Sequence, residues 1–331
     1  MEKNPAAPVV VLGTTFVDLK CFPSNELNFK GRNQGVTRFY HGGVGRNVAE
    51  TIALLGSEVR FVSSVQQDGV GREVISRLER HGVDLTGLLR VDEPGGHGLW
   101  VAILHKDGDL ACSLSQLPHY KFMKEAWRQS GRQVLSGAKW CVLEIDSSVS
   151  LPEQVTQDAQ ELGVKLIGLP GNFVAIRKKP SILEGLHTWI CNQNEAEELA
   201  DQAITSLPEA TEALKKIQSR WGIRQVVVTL GALGSVYADF ETGEHGHVPV
   251  QLVHAVDTTG AGDSFVAGCS HALVQGAPLG LAVEAATRVA AWTVSSEEAV
   301  CLDLQGRIRN DPWDGWKQIG AKVAGVSNTF A

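Results

Sequence analysis

Two hydrophobic rhythms alternate along the chain. Short, nearly continuous apolar runs read as buried strands: "VVVLG" from Val9, "VRFVSSV" from Val59, "KWCVLEI" from Lys139, "VKLIGL" from Val164, "HTWICN" from His187 and "RQVVVTLG" from Arg224. Between most of them lie segments with apolar residues at helical spacing, such as "GRNVAETIALLG", "GREVISRLERHG" and "PEATEALKKIQSRWG". Fully apolar strands separated by amphipathic helices predict an α/β fold, with a mostly parallel sheet covered on both faces. Residues 16–41 and 97–116 break the rhythm. There, polar and apolar residues alternate with no helix between, and "KDGD" has the chemistry of a hairpin turn. These stretches predict a small antiparallel sheet projecting from the main body as a lid. The N-terminal apolar run continues into "GTTFVD" with no small-residue cleavage pattern, so it reads as a first buried strand rather than a signal peptide. "HGH" at His245–His247 reads as a solvated turn, and the stretch after Gly306 as peripheral.

The chain has 331 residues, 43% hydrophobic and 20% charged, with a net charge of −7. These values fit an ordinary globular protein and give no basic run long enough to follow a nucleic acid. No apolar stretch reaches bilayer length, so no membrane span is expected. The six cysteines (Cys21, Cys112, Cys141, Cys191, Cys269, Cys301) include no CxxC pair. They indicate neither zinc nor a redox motif, and fit a reducing cytoplasm.

The chemistry concentrates in "VDTTGAGDSFVAG", from Val256 to Gly268. Gly260, Ala261 and Gly262 stand where a helix begins. A helix start exposes unpaired N–H groups and the positive end of the macrodipole, and glycines let an anion approach closely. The turn suits a phosphate, or charge developing on one during transfer. Asp263 sits in the same turn. It is either a helix cap or a general base that takes the proton of an attacking hydroxyl. No Gly-Lys pair of a Walker loop occurs, and no GxGxxG follows the first strand.

"DTTGAGDSF" resembles the C-terminal signature of the ribokinase-like (PfkB) carbohydrate kinases. "HGGVGRNVAETIALLG" from His41 resembles their N-terminal signature, "NQNEAEEL" from Asn192 their Asn-x-Asn-Glu motif, and "TLGALGS" from Thr229 their nucleotide-site strand and turn. The resemblance spans most of the chain. It implies one ribokinase-like three-layer α/β/α domain over residues 1–331, with the two alternating stretches as its β-lid. It also implies ATP and Mg²⁺, with a monovalent cation such as K⁺.

Position by position, the resemblance makes Asp263 the base, and Gly260, Ala261 and Gly262 the anion hole. Thr229, Gly231, Gly234, Asp257 and Thr258 would border the nucleotide, with Asp257 also at the monovalent cation. Asn192 and Glu195 would hold the phosphates and the water-bound Mg²⁺; the alternative for both is helix capping, and Asn194 reads as such a cap. Asp18, Gly42, Gly43 and Asn47 would receive the acceptor, though Asp18 also fits a strand-end turn. Trp100 either faces the acceptor or packs within the lid. Arg46 either reaches the acceptor or lies on the solvent face of its helix.

"GGVGRN" looks most like pseudouridine kinases, which favours a ribosyl acceptor phosphorylated on its 5′-hydroxyl. Leu169 departs from that pattern, which has an Asp before the Pro. Ribokinase-, fructokinase- and ketodeoxygluconate-type kinases are the alternatives. An inactive sugar- or nucleotide-binding relative and a nicotinamide-dependent oxidoreductase are the readings from other classes. Exposed lid strands also allow a homodimer through the lid.

Overall fold

A computed structural model describes residues 7–146 and 148–320. Thirteen strands are found among them: β1 (Val9–Leu12), β2 (Phe16–Pro23), β3 (Gly35–Gly42), β4 (Val59–Gln66), β5 (Leu88–Val91), β6 (Gly98–Leu104), β7 (Leu110–Gln116), β8 (Trp140–Ile145), β9 (Lys165–Pro170), β10 (Thr188–Asn192), β11 (Gln225–Thr229), β12 (Ser235–Asp239) and β13 (His245–Val248). The helices are α1 (Val44–Leu54), α2 (Gly69–Arg80), α3 (Tyr120–Leu135), α4 (Ser150–Leu162), α5 (Val174–Lys178), α6 (Gln193–Ala200), α7 (Leu207–Trp221), α8 (Ala261–Val274), α9 (Leu279–Val294), α10 (Leu304–Asn310) and α11 (Gly315–Ile319).

Nine strands form the main sheet in the order β13-β12-β11-β10-β9-β8-β1-β4-β5. All adjacent pairs are parallel except the two made by β12. The apolar strand runs explain the three layers, because alternate residues of one strand serve opposite cores. Val10, Leu12, Cys141, Leu143 and Val228 pack with α3, α4, α6 and α7. Val9, Val11, Val142, Ile167 and Val227 pack with α1, α2, α8 and α9. The expected ribokinase-like α/β architecture is the one observed.

The second sheet has the order β3-β2-β6-β7. Its strands fall in the two stretches that alternate in sequence, and the β6–β7 turn holds Gly108 at φ 98°. The lid is rooted at the site. β1 runs through Gly13–Thr15 directly into β2, and β3 runs through Gly43 directly into α1. Gly43 has φ 95°, and a Cβ there would lie 2.6 Å from the Thr14 carbonyl oxygen, so only glycine fits this crossing of β1 and α1.

Two sequence expectations are corrected here. His245–His247 lie within β13, an edge strand paired with β12, rather than in a turn. Alternation at an edge keeps their polar faces in solvent, so the apolar signal of a strand is missing. The stretch after Gly306 is not peripheral up to residue 320: Ile308, Trp316 and Ile319 are buried in the core beside α9, and Trp316 stacks on Trp292 at 5.7 Å. Residues 321–331 lie outside the described residues.

Candidate active site

In parallel α/β sheets, ligands bind beyond the carboxyl ends of the strands, where the strand order reverses. Here that point lies at β1, which has β4 on one side and β8 on the other. Every motif singled out in the sequence converges on this edge.

Asp263 is the third residue of α8, whose N-terminal flank is Gly260 in the left-handed conformation at φ 77°. Gly260 lies against the Ala299 carbonyl, which a Cβ would approach to 2.1 Å. Gly262 faces open space, with nothing within 4 Å of a built Cβ. The first turn of α8 therefore presents bare backbone to a cleft, as an anion site requires. Asn47 Nδ2 donates to Asp263 Oδ2 at 2.6 Å. Burial raises the Asp263 carboxyl above its usual range, while the Asn47 bond and the nearby Arg46 charge oppose that rise. Asn47 is buried, and its Oδ1 has no protein partner.

On the lid side, Asp18 in β2 stands opposite Tyr40 in β3 and Trp100 in β6, so the three share one face of the small sheet. The Asp18 carboxylate lies against Gly42, 3.1 Å from a built Cβ. Burial raises its pKa, and Lys20 and Arg46 lower it. Trp100 is half-buried in this row. Lys20, two residues on, sits over the Tyr40 ring at 4.8 Å and reaches Asp257 at 3.8 Å, tying the lid to the loop that precedes the anion turn.

A 410 Å³ cleft lies on the other side of the α8 start. It is lined by Thr229, Gly231, Gly234, Thr258, Ala261 and Gly262, and closed by the apolar wall of Val250, Val253, Ala290, Ala291 and Val294. The expected nucleotide residues are thus brought together, apart from Asp257 and Asn192, which do not line it. Asn192 stands beside Thr229 in the β10–β11 register. Asn192 and Glu195 form a reciprocal capping box on α6: Asn192 N donates to Glu195 Oε2 at 2.8 Å, and Glu195 N donates to Asn192 Oδ1 at 3.0 Å. The cap is therefore Asn192, not Asn194. Glu195 keeps its second oxygen outside this pair. No group of three His, Cys, Asp or Glu side chains among the described residues is placed to hold a metal ion.

Arg46 is not on the solvent face of its helix, one of the two positions expected for it. Its side chain is buried, donating through Nε to the Gly42 carbonyl at 3.1 Å, and engaging the His41 carbonyl and Glu50. It lies behind the Gly42–Gly43 turn instead of in solvent. The reason is Glu50, one helical turn along and fully buried, which gives the guanidinium an inward partner.

Glu144 was not anticipated. It is the penultimate residue of the apolar strand "KWCVLEI", on the face shared with α1 and α8. Thr14 N and Gly45 N donate to its Oε2 at 2.6 and 3.0 Å, and Thr14 Oγ1 to its Oε1 at 2.9 Å. Burial pushes its carboxyl up to about 8. It clamps the end of β1 to the start of α1, which carries Asn47. A lone acid inside a fully apolar strand is the signal the sequence offers. Leu169, its neighbour in the β8–β9 register, is buried and apolar.

The geometry has the parts of a phosphotransferase: an anion turn, a carboxylate beside it, a polar lid and a second cleft. The pfkB family carbohydrate kinase model matches residues 6–303. The chain is 33% identical over 290 residues to a guanosine-inosine kinase of Exiguobacterium acetylicum, covering 88% of this chain and 95% of that one. It is 25% identical over 298 residues to a pseudouridine kinase of Escherichia coli, covering 89% and 93%. A solved structure of a putative sugar kinase from Clostridium perfringens superposes with a TM-score of 0.77 at 25% identity, over 97% of this chain and 96% of that one. The chain belongs to the pfkB family of carbohydrate kinases, and its activity class is ATP-dependent phosphorylation of a carbohydrate or nucleoside hydroxyl.

Proposed function

We propose that the protein phosphorylates the 5′-hydroxyl of a ribonucleoside, with a purine ribonucleoside such as guanosine or inosine as the preferred acceptor. The observation that carries the reading is the position of Asp263: hydrogen-bonded to Asn47 on the acceptor side, and one residue past the open Gly262 backbone on the phosphate side. Asp263 takes the proton of the acceptor hydroxyl. The oxygen attacks the γ-phosphorus of ATP, and the bond to the β–γ bridging oxygen breaks. Charge on the transferring group is met by the N–H groups from Gly260 to Gly262, donors already fixed in place by the helix start. Asp18, Gly42 and Gly43 receive the ribose, with Trp100 and Tyr40 beside it in the lid. Closure of the lid excludes water, the competing phosphoryl acceptor.

The purine preference rests on the guanosine-inosine kinase, which shares more identity with this chain than the pseudouridine kinase does. Pseudouridine is the second reading, supported by "GGVGRN", while the buried Leu169 weighs against it. Thr229, Gly231, Gly234 and Thr258 fit the nucleotide, since they line the cleft that opens on Gly262. Mg²⁺ would supply positive charge that offsets the charge of the phosphates. Glu195 and Asn192 fit a metal held through water, because a carboxylate oxygen is left over from the capping box. Asp257 is assigned to a monovalent cation such as K⁺. We also assign the lid as the contact with a second copy of the chain: Phe39 and Leu114 project from the lid face opposite Asp18 and are 60% and 73% exposed. The six free thiols fit a cytoplasmic setting.

The test is ATP consumption with guanosine, inosine, pseudouridine, uridine, adenosine, ribose, fructose and 2-keto-3-deoxygluconate. Highest kcat/KM with guanosine or inosine supports the reading; a free sugar as the best acceptor, with nucleosides inert, overturns it. Asp18 adds a finer check. A buried polar group left unpaired costs about 1–3 kcal/mol. Deoxygenation of the ribose at the hydroxyl that meets Asp18 therefore lowers kcat/KM roughly 5- to 150-fold, and Asp18→Ala shrinks that ratio.

A further inference from the structure

A chain of charges, buried at Arg46, Glu50 and Arg77 and open to solvent at Glu298, runs from the Gly42–Gly43 turn to the Gly260–Gly262 turn. It begins at Arg46, which holds the carbonyls of His41 and Gly42. Arg46 pairs with Glu50, and Glu50 Oε1 accepts from Arg77 Nε at 2.6 Å. Arg77 Nη1 then reaches Glu298 Oε2 at 2.6 Å. Glu298 precedes Ala299, the residue whose carbonyl lies against Gly260. The same segment is fastened to the helices that carry the phosphate side. Ser296 Oγ lies 2.8 Å from both the Thr293 and Glu298 carbonyl oxygens, and Thr293 Oγ1 donates to Ser264 Oγ at 2.8 Å. His81 also meets Glu50 Oε1, at 2.7 Å. Asp263 lies within electrostatic reach of Arg46, as do Glu73 and Arg77 of His41.

Burying this many charges is expensive, and an apolar replacement would serve folding as well. What the charges supply is direction. A guanidinium fork fixes two carboxylates at a set spacing, which greasy side chains do not do. We propose that Arg77 and Glu298 are positioning residues. Through Glu50 and Arg46 they hold the Gly42–Gly43 turn and the Gly260–Gly262 turn in register, so that acceptor oxygen and transferring phosphate meet at the reactive distance. The catalytic part of this inference rests on the kinase reading above; the mechanical part does not.

The experiment compares wild type with Arg77→Lys, Glu298→Gln and Glu298→Asp. Lysine keeps the charge and loses the fork. Glu298 is 40% exposed, so its replacement leaves a folded protein. Hydrogen exchange is followed by mass spectrometry in segments 41–47, 256–264 and, as a control on the opposite layer, 207–221. The proposal expects exchange about five-fold faster in both site segments for Arg77→Lys and Glu298→Gln, no change in the control, and recovery in Glu298→Asp. Unchanged exchange in 41–47, or equal acceleration in all three segments, overturns it. In parallel, kcat with inosine as acceptor falls five-fold or more while the melting temperature holds, and Glu298→Asp restores it. Turnover matching wild type in variants with loosened turns refutes the catalytic part. Absence of wild-type turnover with any nucleoside refutes the nucleoside-acceptor reading alone, since the exchange result is independent of it.

Discussion

Asn47 and Asp263 are 216 positions apart in the chain and 2.6 Å apart in the fold. The bond joins α1, which follows the Gly42–Gly43 turn, to α8, which starts at the Gly260–Gly262 turn. Because Asn47 donates, it favours the ionised form of Asp263 against the burial that raises its pKa. Removing the donor moves that pKa further up. A general base works only when ionised, so activity rises with pH through its pKa. Asn47→Ala is therefore expected to shift the acid limb of the kcat profile to higher pH and to lower kcat at neutral pH. An acid limb at the wild-type position contradicts the assignment.

The two anion-turn glycines separate folding from function. Gly262 faces open space and lies in the first turn of α8, so Gly262→Ala alters stability by less than about 1 kcal/mol. Its methyl group projects into the cleft, and turnover falls sharply. Gly260→Ala meets the Ala299 carbonyl and a positive φ, so it lowers stability as well as turnover. Thermal melts alongside turnover assays distinguish the two variants. Equal melting losses would show that Gly262 is not open.

The capping role of Glu195 and its proposed role toward Mg²⁺ can be told apart. Glutamine also serves in a capping box, so Glu195→Gln keeps the start of α6 and its stability. The carboxylate charge is lost, and the Mg²⁺ concentration for half-maximal rate rises. Glu195→Ala loses both, with about 0.5–2 kcal/mol of stability. An unchanged Mg²⁺ requirement in the glutamine variant leaves Glu195 as a cap only.

Glu50 links stability to pH. Burial pushes its carboxyl up, but His81, Arg46 and Arg77 together hold it at about 2, below its ordinary 4.5. A depressed folded pKa means stabilisation that is present above 4.5 and lost as pH falls toward 2. Glu50→Gln leaves the Arg46 guanidinium buried without its counter-charge, at a cost of about 3–5 kcal/mol. Denaturant titrations should show that gap in full at pH 7 and narrowing below pH 4.5. A gap independent of pH contradicts the ionic role.

What the sequence disclosed was local chemistry. Gly260 and Asp263 could be read because a left-handed glycine and a first-turn carboxylate signal themselves within four residues. The two-core sheet was legible because both faces of each strand are apolar. Arg46, by contrast, was misread. Helical spacing places charges outward by default, and its inward partners come from α1 itself and, through Glu50, from α2. Glu144 was hidden in an apolar run, since its partners Thr14 and Gly45 arrive only when β8 pairs with β1. The row of Tyr40, Asp18 and Trp100, proposed to meet the acceptor, is the least legible part, because it is assembled from three strands.

Turnover of Asp263→Asn, with ATP binding measured in parallel, tests the central claim most directly. Asparagine keeps the shape of the side chain and cannot accept the proton, and loss of a general base typically removes about 10²–10⁴-fold in rate. The account predicts a fall in kcat of that order, with ATP affinity within a few-fold of wild type. Turnover near wild type in this variant would contradict it.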